Sequence, residues 1–113
     1  MKIVVQKYGG TSVANLECMQ HVKQRVEKKL TQGYKVVVIL SAMSGETDRL
    51  LTLAREWSSR PDPCELDVLL TTGEQTSVAL FSMLLRDSGV KARSLLGFQI
   101  PIHTDPSYGK ARI

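Results

Sequence analysis

The chain opens with a short β-branched run, Ile3-Val4-Val5 within "KIVVQK", that stops at Gly9-Gly10. An apolar run of this length bounded by glycines predicts a buried strand of a parallel sheet. From Val13 the apolar residues recur at Leu16, Met19, Val22, Val26 and Leu30, with Lys23, Gln24, Glu27 and Lys28 between them. Spacings of three and four place them on one stripe of a helix. Thr11 or Ser12 stands where a cap is needed at its start, and Gly33 where it should end. "KVVVIL", Lys35 to Leu40, repeats the buried-strand pattern, and "SAMSGETD" follows as a loop. Thr47 or Asp48 can then cap a helix carrying Leu50, Leu51, Ala54 and Trp57.

"RPDPCE" breaks that helix and prepares another, with Asp62 as cap and Pro63 in the first turn. The following "CELDVLLTTGEQTSVALFSMLLRDSG" has helical character for most of its length, with an interruption or bend expected near Gly73. Its second half, Val78 to Leu85, is apolar nearly all round, which predicts burial, and Gly89 should end it. "KARSLLG" and "QIPIHT" suggest further strands, Pro101 confining the second to an edge or a strand start. Strands alternating with helices indicate an α/β fold, a three-layer α/β/α sandwich with a mostly parallel sheet.

Composition narrows this picture without changing it. With 113 residues and 42% of them apolar there is one domain and enough material for a core. Charged residues make up 23% without long blocks, which argues against disorder. No unbroken apolar run approaches the roughly 20 residues of a membrane span, and the N-terminal run is too short for a signal peptide. A cytoplasmic location is expected, with Cys18 and Cys64 as thiols. Fifteen basic against eleven acidic residues leave a net charge of +4, but the cations are dispersed and only 5% of residues are aromatic. That pattern fits a small anionic ligand better than a nucleic acid, and no membrane partner is expected. His21 falls on the polar side of the first helix, and His103 has no evident acid–base partner. No spacing of His, Cys or carboxylates suits a metal site. The chain stops at "GKARI", an apolar-ended run without a terminal cap or polar tail, as a domain cut short would.

The candidate chemistry lies in "KYGGTSV", Lys7 to Val13. Ligands of open parallel sheets sit beyond the carboxyl ends of the strands. There, glycines let backbone N–H groups approach an anion, and a helix start adds partial positive charge. Lys7 would supply a full one. The lysine precedes the glycines, so this is not the GxxxxGK[ST] loop, and no GxGxxG fingerprint occurs. By itself the turn reads equally as a phosphate cradle or as a tight strand-to-helix corner with a surface lysine. Ser41, Ser44, Gly45 and Thr47 follow the second strand and so belong to the same sheet edge. Glu74 in "TTGEQ" suits either the first turn of a helix or a ligand ammonium.

Four segments in order, "KYGGTSVAN", "VILSAMSGETDRLL", "LLTTGEQTSVALFSMLL" and "ARSLLGFQIPIHTDPSYGKARI", resemble the aspartokinases of the amino acid kinase family. The resemblance runs through the whole chain. Its one departure is Tyr8, where the family usually has phenylalanine.

The resemblance implies an amino acid kinase fold and transfer of the γ-phosphoryl of ATP to the side-chain carboxylate of L-aspartate. The product, 4-phospho-L-aspartate, leads to lysine, threonine, methionine and diaminopimelate. Lys7 would contact the transferring phosphates as the catalytic cation, with Tyr8, Gly9 and Gly10 forming the ATP-binding turn. Ser41, Thr47 and Glu74 would bind aspartate, Glu74 through its ammonium group. Mg²⁺ is expected to arrive with ATP, and the full-length enzyme to be a homo-oligomer. Domains of this family are about twice as long as this chain. Their second half supplies an aspartate, a lysine and the adenine pocket, and regulatory ACT domains follow. These 113 residues are therefore expected to be the first part of the catalytic domain and inactive alone. Two alternatives are another kinase of the same fold, acting on acetylglutamate, glutamate or uridylate, and a non-catalytic anion- or protein-binding α/β module.

Overall fold

The structure is a computed structural model that describes residues 1–113. Strands β1 (Lys2–Tyr8) and β2 (Tyr34–Leu40) lie side by side in parallel, Val4 opposite Val36, Lys7 opposite Ile39 and Tyr8 opposite Leu40. Parallel neighbours need a crossover, and helix α1 (Leu16–Thr31) provides it. Successive side chains point to opposite faces of the pair. Val36, Val38 and Leu40 pack into the core with Val13, Met19, Val22 and Val26, while Phe81 and Leu85 arrive from helix α3 (Pro63–Asp87). Ile3, Val5, Val37 and Ile39 lie on the other face and are 48–59% exposed. The two apolar runs are thus covered on one side only. The architecture is α/β with a parallel sheet, and its helices α1 and α3 form one layer against the strands.

The entry to α1 differs from the sequence expectation. Residues Gly10–Val13 wind into a short 3-10 turn that drives Val13 fully into the core. The helix begins three residues later, and Asn15 caps it, its Oδ1 accepting the Cys18 N–H at 3.0 Å. Thr11 and Ser12 lie too far upstream for their side chains to reach the first-turn amides, so neither is the cap. Leu16, assigned to the apolar stripe by its spacing, stands 64% exposed at the same helix start.

Helix α2 (Glu46–Trp57) packs on α3 (Pro63–Asp87) more than on the sheet. Asp62 caps α3 as expected, accepting from the N–H groups of Cys64 and Glu65 at 2.9 and 3.1 Å, with Pro63 in the first turn. The helix runs through Gly73 without interruption. The glycine is there for packing, since its α-carbon is buried against α2 and the loop before it. Burial of the second half is one-sided: Ser77, Phe81 and Leu85 are buried, but Leu80 and Met83 are 47% and 59% exposed. By length and composition alone α3 is apolar enough to cross a membrane, yet its Phe81–Leu85 side belongs to the core.

Beyond Gly89, which takes a φ of +83°, the expected strands at 91–97 and 99–104 do not form. A strand needs a neighbouring ladder, and here side chains take the backbone groups instead. Arg86 Nε–H donates to the Ala92 carbonyl at 2.7 Å, and the Leu96 N–H donates to Gln99 Oε1 at 2.8 Å. Only a 3-10 turn, Gly97–Gln99, is regular. The final segment folds back on α3: Gly109 N–H donates to Asp67 Oδ2 at 2.8 Å. Beside it, hydrogen bonding with Cys64 raises the Tyr108 phenol above its ordinary pKa.

Candidate active site

The turns that leave β1 and β2 meet at the carboxyl end of the strand pair. The Ser41 N–H donates to the Tyr8 carbonyl at 3.0 Å, carrying the strand pairing one step into the loops. Between them opens a cleft of about 360 Å³. One wall is Gly10, the floor is Ser41 to Gly45, and Thr47, Asp48 and Glu74 close it from α2 and α3.

Two glycines are required here by backbone conformation. Gly10 has φ +56° and Gly45 has φ +79°, a region that residues with a Cβ rarely adopt. Gly9 is different: at φ −153° any residue would fit its backbone, but a Cβ would stand 2.8 Å from Ser41 Oγ. Gly9 thus makes room for a neighbouring hydroxyl.

Gly45 is also the N-terminal boundary of α2, and no side chain caps that helix. Thr47 and Asp48 line the cleft from the first turn of this helix, whose start has no side-chain capping acceptor and carries partial positive charge. Glu46 is engaged elsewhere, pairing with Arg49 at 2.6 and 3.1 Å. Those hydrogen bonds hold its carboxyl below the ordinary carboxylate pKa and raise that of Arg49.

Of the residues singled out in the sequence, Gly10, Ser41, Ser44, Gly45, Thr47 and Glu74 share this cleft. Lys7 is exposed on the uncovered face of the strands, across from Ile39, and does not line it. Tyr8 turns the opposite way, its hydroxyl donating to Gln6 Oε1 at 3.1 Å. It borders a separate shallow cleft of about 200 Å³ with Thr11, Ser12, His21 and Arg25. Ala42, Met43 and Asp48 line the cleft without being among the residues singled out in the sequence. Asp48 had the signal of adjacency to Thr47, but its reading as a cap concealed it. Ala42 carries no sequence signal, because its place follows from packing against Gly73. No group of three or more His, Cys, Asp or Glu side chains comes together anywhere in the chain.

The chain is 50% identical over its full length to the aspartokinases of Geobacillus stearothermophilus and Thermus thermophilus, and to the aspartate kinase of Pseudomonas putida. It spans 28% of the length of each. The crystal structure of aspartate kinase from Synechocystis superposes with a TM-score of 0.79 at 45% identity, over 82% of this chain and 16% of that one. Escherichia coli aspartokinase III, in complex with aspartate and ADP, shares the fold at a TM-score of 0.68 and 24% identity, over 82% of this chain and 30% of that one. Residues 2–112 match the amino acid kinase family, and to that family the chain belongs.

Proposed function

We propose that the chain is part of an aspartate kinase that transfers the γ-phosphoryl of ATP to the side-chain carboxylate of L-aspartate. The observation that carries this reading is the cleft itself. Ser41, Thr47 and Glu74 converge on a space bounded by Gly10 and by the uncapped start of α2. Such a helix start, flanked by hydroxyls, favours a carboxylate. Glu74, across the cleft, is the group for an ammonium. An amino acid with an acidic side chain presents both.

The chemistry asks little of this chain in proton transfer. A carboxylate of ordinary pKa, about 3.9, is already the nucleophile at neutral pH. The barrier lies in bringing two anions together and holding charge on the transferring oxygens. In this reading Gly9, Gly10 and the backbone of Tyr8 form the phosphate turn, and Lys7 is the cation that reaches the phosphates. Its exposed position at the end of β1 leaves it free to do so. Mg²⁺ would arrive on ATP, keeping phosphate and water ligands. The remainder of the active site, the homo-oligomeric assembly, a cytoplasmic setting and a place in lysine, threonine, methionine and diaminopimelate synthesis belong to the same proposal.

The test is aspartate-dependent ADP release by the full-length enzyme. Activity with aspartate but not acetylglutamate supports the reading, and the reverse preference overturns it. Lys7→Ala should reduce kcat by about 10²-fold or more, as loss of a charge-stabilising group does. Near-normal turnover would remove Lys7 from its role.

A further inference from the structure

We infer that Gly73 is a positioning residue, whose missing side chain lets α3 approach the Ser41–Gly45 loop closely enough to set Glu74 in the ammonium subsite. The inference rests on the reading of the cleft as an aspartate site. Gly73 is buried mid-helix, where glycine weakens a helix by about 1 kcal/mol relative to alanine. Its backbone is ordinary helix, so conformation does not call for it. Contact does. A Cβ at position 73 would meet Ala42 Cβ at 3.1 Å, with Glu46 Cγ and Leu50 Cδ1 each at 3.4 Å.

The Ala42 contact decides the outcome. Carbon atoms pack best at about 3.5–4.0 Å, and a Cβ cannot rotate out of the way as a longer side chain can. Adding a methyl at 73 therefore moves backbone against backbone. Ala42 belongs to the cleft floor and Glu74 is the next residue along the helix. A shift of α3 consequently widens the span from Glu74 to Ser41 and Thr47, which is the dimension that must match the length of the amino acid. The Gly9-Gly10 turn meets this loop through Ser41, on the other wall, and is not itself part of the contact at position 73.

In the full-length enzyme, Gly73→Ala should raise the aspartate KM by about fivefold or more, with the ATP KM and kcat within about twofold of wild type. Pairing it with Ala42→Gly moves the methyl from one partner to the other and should return the aspartate KM to within about twofold. A merely structural glycine would lower the melting temperature and affect both substrates alike. If Gly73→Ala does not fold, the paired variant carries the test alone, since it keeps one methyl at the contact. An unchanged aspartate KM in the single variant overturns the inference, as do parallel rises for both substrates or a pair that stays impaired. A wild-type enzyme inert towards aspartate would instead overturn the proposed function, so the two failures are distinguishable.

Discussion

The hydroxyl of Ser41 sits against the α-carbon of Gly9, leaving only 2.8 Å to the place a Cβ would occupy. The turn after β1 and the loop after β2 are therefore fitted to each other, in addition to being joined by the Ser41 N–H and the Tyr8 carbonyl. Gly9→Ala should force the Ser41 side chain to rotate, at a stability cost of about 0.5–1.5 kcal/mol. Ser41→Ala in the same chain leaves only Cβ at 3.5 Å, an ordinary contact, so the pair should be more stable than the sum of the single effects. Denaturant melts of the four proteins measure that coupling, and strict additivity would show that the two residues do not interfere.

Gly10 offers the contrasting case. Nothing lies within 4 Å of its would-be Cβ, but its φ of +56° is left-handed. Gly10→Ala should lose about 1–2 kcal/mol through backbone strain, and Gly10→Asn less, because asparagine tolerates that region. Equal losses for the two would point to a cause other than conformation.

The caps give a cleaner stability test. Asn15→Ala should cost about 1 kcal/mol by freeing the Cys18 N–H. Thr11→Ala, in the 3-10 turn upstream, should change stability by less than about 0.5 kcal/mol. Thermal unfolding of both variants checks this; a larger effect at Thr11 would place the helix start where the sequence alone suggested.

Local chemistry is what the sequence made legible. The β-branched runs of β1 and β2 and the Asp62-Pro63 start of α3 follow from neighbours within a few residues, whereas the meeting of Gly10, Ser41, Thr47 and Glu74 joins three distant segments and is legible only through the sheet-edge rule and the family resemblance. The readings that failed depend on partners distant in the chain. Residues 91–104 have strand-like side chains but no ladder beside them. Gly73 looks like a breaker in one dimension and is a contact point in three. Leu80 and Met83 share a helix with Phe81 and Leu85, and the places of α1 and β2 decide which pair is buried.

That one-sided burial sets a graded expectation. Phe81, 4% exposed, fills the core between α1 and the strands, so Phe81→Ala should cost about 3–5 kcal/mol. Met83, two residues on, is 59% exposed, and Met83→Ala should stay within about 0.5 kcal/mol. Comparable losses at both positions, by equilibrium unfolding, would mean that the outer side of α3 is covered in solution.

The Glu46–Arg49 pair carries a pH dependence whose sign is fixed by the shifts. Hydrogen bonding from Arg49 lowers the folded-state pKa of Glu46 below its unfolded value. Ionised Glu46 therefore favours the folded chain above the ordinary carboxylate pKa, about 4.3, and that contribution fades as pH falls through the folded value. Arg49, whose pKa is raised, remains charged throughout this range. Both groups are solvent-accessible, so the effect is small and weakened by salt. Glu46→Gln should accordingly be less stable than wild type at pH 7, with the gap narrowing as pH drops into the acid range. Melting temperatures of the two proteins from pH 7 down to about pH 3 in low and high salt test the claim. A gap that widens on acidification would have the opposite sign and would show that the Arg49 contact does not hold Glu46 ionised.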